Sequence, residues 1–138
     1  LRLRSLGKVS KLEEIMISEK PKAFSGIAHT RWATHGAPSE ENAHPHGSHD
    51  DIFIVHNGII ENHEEIRGFL RNKGYEITSE TDSELIAHLI HFYKKDTQDT
   101  LQALMRATHE LSGAYSIAVV CKQEKGKASE TIGKQVKI

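Results

Sequence analysis

Two short motifs carry charged residues that together could recognise a free amino acid. In "HTRWATHG", Arg31 follows a predicted strand, and its planar guanidinium group suits a carboxylate. In "SETDSE", Asp82 lies in the first turn of a predicted helix, where a carboxylate is stabilised and could receive an ammonium group. Taken singly, Arg31 is better explained by a surface ion pair and Asp82 by its role at a helix start. The amino-acid hypothesis therefore requires that the fold bring both residues together.

A third motif, "VHNGIIENH", places Asn57 and Gly58 at the end of a predicted buried strand. A side-chain amide and a backbone N–H at such a point can form an oxyanion hole. The alternative interpretation is a tight turn, which Asn-Gly favours.

Histidine is unusually concentrated, since six of the ten histidines lie between residues 29 and 56. His44, His46 and His49 form an HxHxxH run that could bind zinc. Structural zinc sites usually include cysteine ligands or a helical i,i+4 pair, and the run has neither, so we predict no metal site. The single cysteine, Cys121, ends an apolar stretch and is interpreted as an inert core thiol.

Composition excludes several classes of partner. The chain has 138 residues, a formal net charge of −1 and no apolar run long enough to span a membrane. This balance provides no basic surface for nucleic acid or an anionic membrane. One cysteine cannot form an internal disulfide framework. We expect a cytoplasmic protein that binds neither nucleic acid nor membrane.

The elements that must position these motifs follow from periodicity and capping. The pattern predicts strands over residues 1–9, 23–30, 51–58 and 114–121. It predicts helices that begin near Ser10, Asn62, Thr81, and Asp99 or Thr100. Residues 31–50 have no sustained period, and the tail over residues 122–138 receives no assignment. Strands around a helical block, without regular βαβ alternation, favour an α+β or layered α/β fold over a doubly wound sheet.

The motifs "HTRWATHG", "NAHPH", "HNGIIENH" and "ETDSE", in this order, resemble the glutaminase domain of class II glutamine amidotransferases over about residues 1–121. The resemblance implies an α+β fold of the N-terminal-nucleophile hydrolase type. This fold is a four-layer αββα sandwich with antiparallel sheets, incomplete in this chain. In that family the thiolate of an amino-terminal cysteine attacks the side-chain amide of L-glutamine and releases ammonia. No metal or organic cofactor is needed for that hydrolysis.

The resemblance also implies roles for the motif residues. Arg31 would hold the α-carboxylate of glutamine, and Asp82 would hold its α-amino group. Asn57 and Gly58 would form the oxyanion hole.

A loop over residues 32–38 would close over the bound glutamine. Trp32, Thr34 and His35 would contact the substrate from this loop. His44 would belong to the same loop region.

Within the family, the motifs most resemble the branch that converts fructose 6-phosphate and glutamine to glucosamine 6-phosphate and glutamate. Its parent enzymes join the glutaminase domain to a sugar-phosphate isomerase domain, and we expect a homo-oligomer. The family's cysteine would precede Leu1, so we expect an internal fragment that is inactive by itself. The alternatives are another class II amidotransferase, a non-catalytic amino-acid-binding module and a histidine-rich metal-binding domain.

Overall fold

A computed structural model describes residues 1–23, 25–32, 36–122 and 131–136 of the chain. The helices are α1 (Val9–Glu19), α2 (His63–Asn72), α3 (Asp82–Thr97) and α4 (Thr100–Glu110). The strands are β1 (His46–Ser48), β2 (Ile52–Gly58), β3 (Tyr115–Cys121) and β4 (Thr131–Val136). Within these described ranges, no helix has the length and apolar character that crossing a membrane requires.

The four strands form one antiparallel sheet in the order β1-β2-β3-β4. β2 and β3 pair along their whole length, with Ile52 opposite Cys121 and Gly58 opposite Tyr115. The strands predicted over residues 51–58 and 114–121 are thus confirmed as β2 and β3. β4 lies in the tail that the sequence left unassigned, and the domain boundary predicted at residue 121 stays a prediction.

The core lies on one face of this sheet. Along β2, Ile52, Ile54 and His56 are buried and alternate with half-buried residues. α3 packs on β1 and β2, and α2 and α4 pack on α3. Each isoleucine or leucine removed from water contributes about 1.5–3 kcal/mol. This packing fixes the first turn of α3 beside the end of β2.

The starts of α2, α3 and α4 are confirmed where the sequence predicted them. Asn62 precedes α2. Thr81 is the N-cap of α3, and its hydroxyl accepts a hydrogen bond from the backbone N–H of Glu84. Asp99 caps α4 by accepting from the backbone N–H of Gln102 at 2.7 Å. These caps join residues three apart, so the sequence alone specifies them.

Two predicted strands are wrong. Residues 1–8 form no strand, and neither do the described residues of the 23–30 segment. Both predictions rest on the residue types within each segment. A strand also requires a neighbouring strand to hydrogen-bond its backbone groups. Among the described residues, neither segment pairs with the sheet. The helix predicted from Ser10 is confirmed but begins at Val9, and no side chain caps it.

The region over residues 31–50 is only partly irregular. β1 (His46–Ser48) pairs with β2, which corrects the prediction for that part of the region. Asn42, His44, His46 and Ser48 are buried, alternating with more exposed residues. The second half of the region is therefore fixed to the core.

Candidate functional site

A cavity of about 190 Å³ opens where β2 ends and α3 begins. Five of the predicted site residues line it, namely Arg31, Trp32, Asn57, Gly58 and Asp82. The remaining lining residues are His29, Thr30, His44, His56, Thr81 and Ser83. The amino-acid hypothesis required this convergence of Arg31 and Asp82.

Gly58 ends β2 with a backbone that only glycine adopts readily. Its φ is +126°, and a Cβ there would lie 2.2 Å from the carbonyl oxygen of Ala114 and 2.7 Å from Cα of Tyr115. A side chain would collide with the β3 backbone. The exposed Asn57 precedes it, and its Oδ1 lies 2.6 Å from Nε2 of His29.

Asp82 is the first residue of α3 and is 7% exposed. Its Oδ2 accepts a hydrogen bond from the backbone N–H of Ile60 at 2.9 Å. The positive end of the helix dipole also stabilises its negative charge. The carboxylate is thus held in place between the end of β2 and the start of α3.

Arg31 lies in a segment without regular structure. Its guanidinium group donates to the carbonyl oxygens of Gly36 at 3.1 Å and Ala37 at 3.4 Å. These bonds tie the Arg31 guanidinium group to the backbone of Gly36 and Ala37, which follow it in the chain. Arg31 can therefore present a cation to the cavity without being part of a helix or strand.

Part of the cavity wall is a buried polar cluster that the motifs did not predict. Ser83 Oγ lies 3.1 Å from Nε2 of His44 and 2.8 Å from Nδ1 of His56. The ring of His29 lies against the ring of His44, with centroids 4.1 Å apart. The sequence offered two indications: His56 falls on the buried face of β2, and Ser83 follows Asp82. Neither indicates that the two residues contact each other.

The buried rings of His44 and His56 are neutral near neutral pH. Burial, together with the neighbouring rings of His46 and His29, lowers the pKa of His44 to about 2. Burial also lowers the pKa of His56, against the opposing effect of Asp82. Among the described residues, Nδ1 of His29, Nδ1 of His44 and Nε2 of His56 are buried without a hydrogen-bond partner.

Three predicted site residues belong to the loop predicted over residues 32–38. Trp32 lines the cavity and is 89% exposed. Thr34 and His35 lie outside the described residues, and their contacts with substrate stay predictions.

The HxHxxH run does not converge on one point. His44 contacts Ser83, whereas Nε2 of His46 lies 3.2 Å from the hydroxyl of Thr81. His49 stacks on His91 with ring centroids 4.1 Å apart. In the described part of the chain, no group of three or more His, Cys, Asp or Glu residues could hold a metal ion.

Cys121 lies far from the cavity. It pairs with Ile52, at the opposite end of the β2–β3 pair from Gly58 and Tyr115. Six residue steps along a strand span about 20 Å. The Cys121 thiol therefore cannot reach a substrate held beside Asn57 and Gly58.

Comparison with known proteins gives consistent matches. A family model described as glutamine amidotransferase domain matches residues 29–131. The isomerizing glutamine–fructose-6-phosphate aminotransferase of Pseudomonas syringae pv. tomato is 56% identical over 119 residues, which is 86% of this chain and 20% of the relative. The Haemophilus influenzae enzyme of the same name is 53% identical over 120 residues, 86% of this chain and 19% of the relative. The chain thus spans about a fifth of these curated relatives.

Solved structures give the same fold. Glutamine phosphoribosylpyrophosphate amidotransferase from B. subtilis, complexed with ADP and GMP, aligns with a TM-score of 0.56 and 25% identity. That alignment covers 67% of this chain and 20% of the other. A structure described as the allosteric regulatory enzyme of purine biosynthesis gives 0.56 and 27%, covering 66% and 20%. These likenesses confirm the predicted α+β fold of the N-terminal-nucleophile hydrolase type, of which this chain contains a part with one described antiparallel sheet.

Proposed function

The chain belongs to the glutamine amidotransferase domain family, and from this premise we propose that it is the glutamine-hydrolysing domain of an enzyme that aminates fructose 6-phosphate. In this proposal the domain releases ammonia from L-glutamine, and the ammonia is used to form glucosamine 6-phosphate. Relatives that share 50–56% identity are named isomerizing glutamine–fructose-6-phosphate aminotransferases, which supports the proposal.

The observation that supports the proposal most is the composition of one cavity. A cationic side chain, a buried carboxylate, a side-chain amide and a glycine backbone line the same space, as Arg31, Asp82, Asn57 and Gly58. Glutamine presents a carboxylate, an ammonium group and an amide, which are the chemical complements of these groups.

Recognition is assigned to the two charged residues. The guanidinium group of Arg31 pairs with the α-carboxylate, and planar two-point hydrogen bonding suits that contact. The Asp82 carboxylate, already held by the N–H of Ile60, accepts from the α-ammonium group. With both charged ends held, the side-chain amide of glutamine is directed in this proposal toward Asn57 and Gly58, which line the same cavity.

The chemical step is assigned to the end of β2. Attack of a thiolate on the amide carbon forms a C–S bond and places a negative charge on the carbonyl oxygen. The side-chain N–H of Asn57 and the backbone N–H of Gly58 stabilise that charge. Collapse expels ammonia as the proton lost by the cysteine thiol is delivered to the leaving nitrogen, and water then cleaves the thioester to give glutamate and the free thiol.

The thiolate in this proposal comes from an amino-terminal cysteine of the whole protein, as the family resemblance implies. Cys121 is separated from the cavity by about the length of β2 and is not the nucleophile. Trp32, with Thr34 and His35, is assigned to the loop that closes over glutamine. A cytoplasmic location, a sugar-phosphate isomerase domain and a homo-oligomeric assembly are parts of the same proposal.

Steady-state kinetics of glutamate formation in the full-length protein tests the recognition roles. Arg31→Met and Asp82→Asn should each raise the KM for glutamine by about 10- to 100-fold, the value of a charge-assisted hydrogen bond. Arg106→Met and Asp96→Asn, on exposed positions of α4 and α3, serve as matched controls and should leave KM unchanged.

Two results would contradict the proposal. The recognition roles are wrong if the cavity variants behave like their controls. Ammonia release without any glucosamine 6-phosphate when fructose 6-phosphate is supplied would indicate another class II amidotransferase.

A further inference from the structure

A close contact joins His29, which lies before β1 in a stretch without regular structure, to the end of β2. Nε2 of His29 lies 2.6 Å from Oδ1 of Asn57, and the two residues are 28 positions apart in the chain. Both line the cavity. The contact uses the oxygen of the carboxamide and leaves its nitrogen for another partner.

The carboxamide of asparagine is nearly symmetric in shape. A half-turn about its last bond exchanges the oxygen and the nitrogen, and only hydrogen-bond partners distinguish the two orientations. For oxyanion stabilisation the nitrogen must face the developing negative charge. The opposite orientation would place a carbonyl oxygen there, which repels that charge. A hydrogen-bond donor to the oxygen of the Asn57 carboxamide therefore favours the orientation in which the nitrogen faces the developing charge.

His29 is equipped to be that donor. Its Nδ1 is buried without a hydrogen-bond partner among the described residues. A proton on Nδ1 would leave a buried N–H unsatisfied, whereas a proton on Nε2 meets Oδ1 of Asn57. The structure thus favours the tautomer that donates to Asn57.

The ring of His29 packs against a buried neighbour, although its own segment has no regular structure. It packs on His44 with ring centroids 4.1 Å apart. His44 is 9% exposed, and its Nε2 lies 3.1 Å from the hydroxyl of Ser83 in the first turn of α3. Packing against a ring fixed to a helix keeps His29 in line with Asn57.

We propose that His29 is a positioning residue that orients the Asn57 carboxamide, so that its nitrogen faces the reacting carbonyl of glutamine. The inference rests on the proposed function, in which Asn57 donates to the oxyanion. It assigns His29 no contact with substrate. His29 acts on turnover through Asn57 and leaves glutamine binding to Arg31 and Asp82.

Two substitutions in the full-length protein separate the hydrogen bond from the packing. His29→Phe keeps a ring against His44 and removes the donor. It should lower kcat for glutamine hydrolysis about tenfold, the upper range for one neutral hydrogen bond, with KM for glutamine unchanged. His29→Gln restores an N–H near the position of Nε2 and should recover most of that loss. His109→Phe, at an exposed position of α4, is the matched control and should leave kcat and KM unchanged.

The Asn57→Ala background identifies the target of His29. Adding His29→Phe there should cause no further fall in kcat, because residues that act as a unit are not additive. An unchanged kcat in His29→Phe beside a reduced kcat in Asn57→Ala would overturn this inference alone. Equal losses of kcat in His29→Phe and His29→Gln would also overturn it. So would a further loss of kcat when His29→Phe is added to Asn57→Ala. An unchanged kcat in Asn57→Ala would overturn the oxyanion role itself, and the inference with it.

Discussion

The cavity is built from two regions of different character. The anchored region consists of β1, β2 and α3, and it supplies Asn57, Gly58 and Asp82. The irregular segment, which comprises residues 20–23, 25–32 and 36–41, supplies His29, Arg31 and Trp32. Asn57 and Gly58 lie on paired backbone, and Asp82 lies in the first turn of a capped helix. Arg31 and Trp32 lie on backbone without regular structure, where many enzymes carry groups that contact their substrates.

The two regions differ in how they tolerate a new methyl group. In the anchored region, Gly58→Ala places Cβ 2.2 Å from a backbone oxygen, and a backbone atom cannot move aside cheaply. In the irregular segment, Gly36→Ala places Cβ 2.7 Å from the side-chain nitrogen of Asn42 and 3.0 Å from Glu80 Cβ. Both glycines have positive φ, so each substitution also carries a conformational cost for placing a side chain on that backbone.

We therefore expect Gly58→Ala to lower the free energy of unfolding by about 3 kcal/mol or more, and Gly36→Ala by about 1–2 kcal/mol. Chemical denaturation of the two variants measures the difference. Equal costs would mean that the end of β2 is as adaptable as the irregular segment, and the comparison would fail.

Removal of a hydroxyl should have the second-largest effect. Ser83 Oγ is the shared partner of the buried rings of His44 and His56, so Ser83→Ala leaves two buried nitrogens unsatisfied. We expect a loss of about 2 kcal/mol in the free energy of unfolding. Ser39→Ala removes one hydrogen bond, in which the Ser39 hydroxyl accepts from the backbone N–H of Asn42. It should lower the free energy of unfolding by about 0.5–1 kcal/mol. A smaller loss for Ser83 than for Ser39 would contradict the anchoring role of the cluster.

Acid should weaken the anchored region through its buried rings. Burial lowers the pKa of His46 to about 4 and that of His44 to about 2, below the ordinary value of 6.5. Between pH 6.5 and about 4 these rings take up protons in the unfolded chain but not in the folded one. The free energy of unfolding should therefore fall as pH falls, by about 1 kcal/mol per pH unit for each ring. Denaturation at pH 6.5, 5.5 and 4.5 measures the slope, and His46→Gln should reduce it by one ring's share. An identical slope in that variant would refute the assignment to His46.

The smallest effect on stability is expected at Trp32. Its side chain is 89% exposed, so Trp32→Ala should change the free energy of unfolding by less than about 0.5 kcal/mol. The same variant should raise the KM for glutamine, because Trp32 lines the cavity. Thermal unfolding and glutamate formation measure the two quantities. A large loss of stability would assign Trp32 to the core instead of the cavity mouth.

The sequence by itself determined the features that depend on near neighbours in the chain. Thr81 and Asp99 were recognised as helix starts because each bonds to a backbone N–H three residues away. β2 and β3 were recognised because apolar, β-branched runs favour buried strands. The motif residues Arg31, Asn57, Gly58 and Asp82 were singled out because their side chains or backbone suit particular chemical groups.

Only the tertiary structure decided which of these features meet. The alternating pattern of residues 1–9 could not reveal that the segment lacks a neighbouring strand in the described chain, since strand pairing joins residues distant in sequence. No local pattern reveals the partners of His29 and Ser83, which lie 28 and 39 positions away. Packing of α3 against β1 and β2 accompanies the contact of Ser83 with His44, and the contact of His29 with Asn57 joins an irregular segment to the end of β2. Short-range hydrogen bonding is encoded within a few residues, whereas a cavity is lined by whichever residues the completed core places side by side.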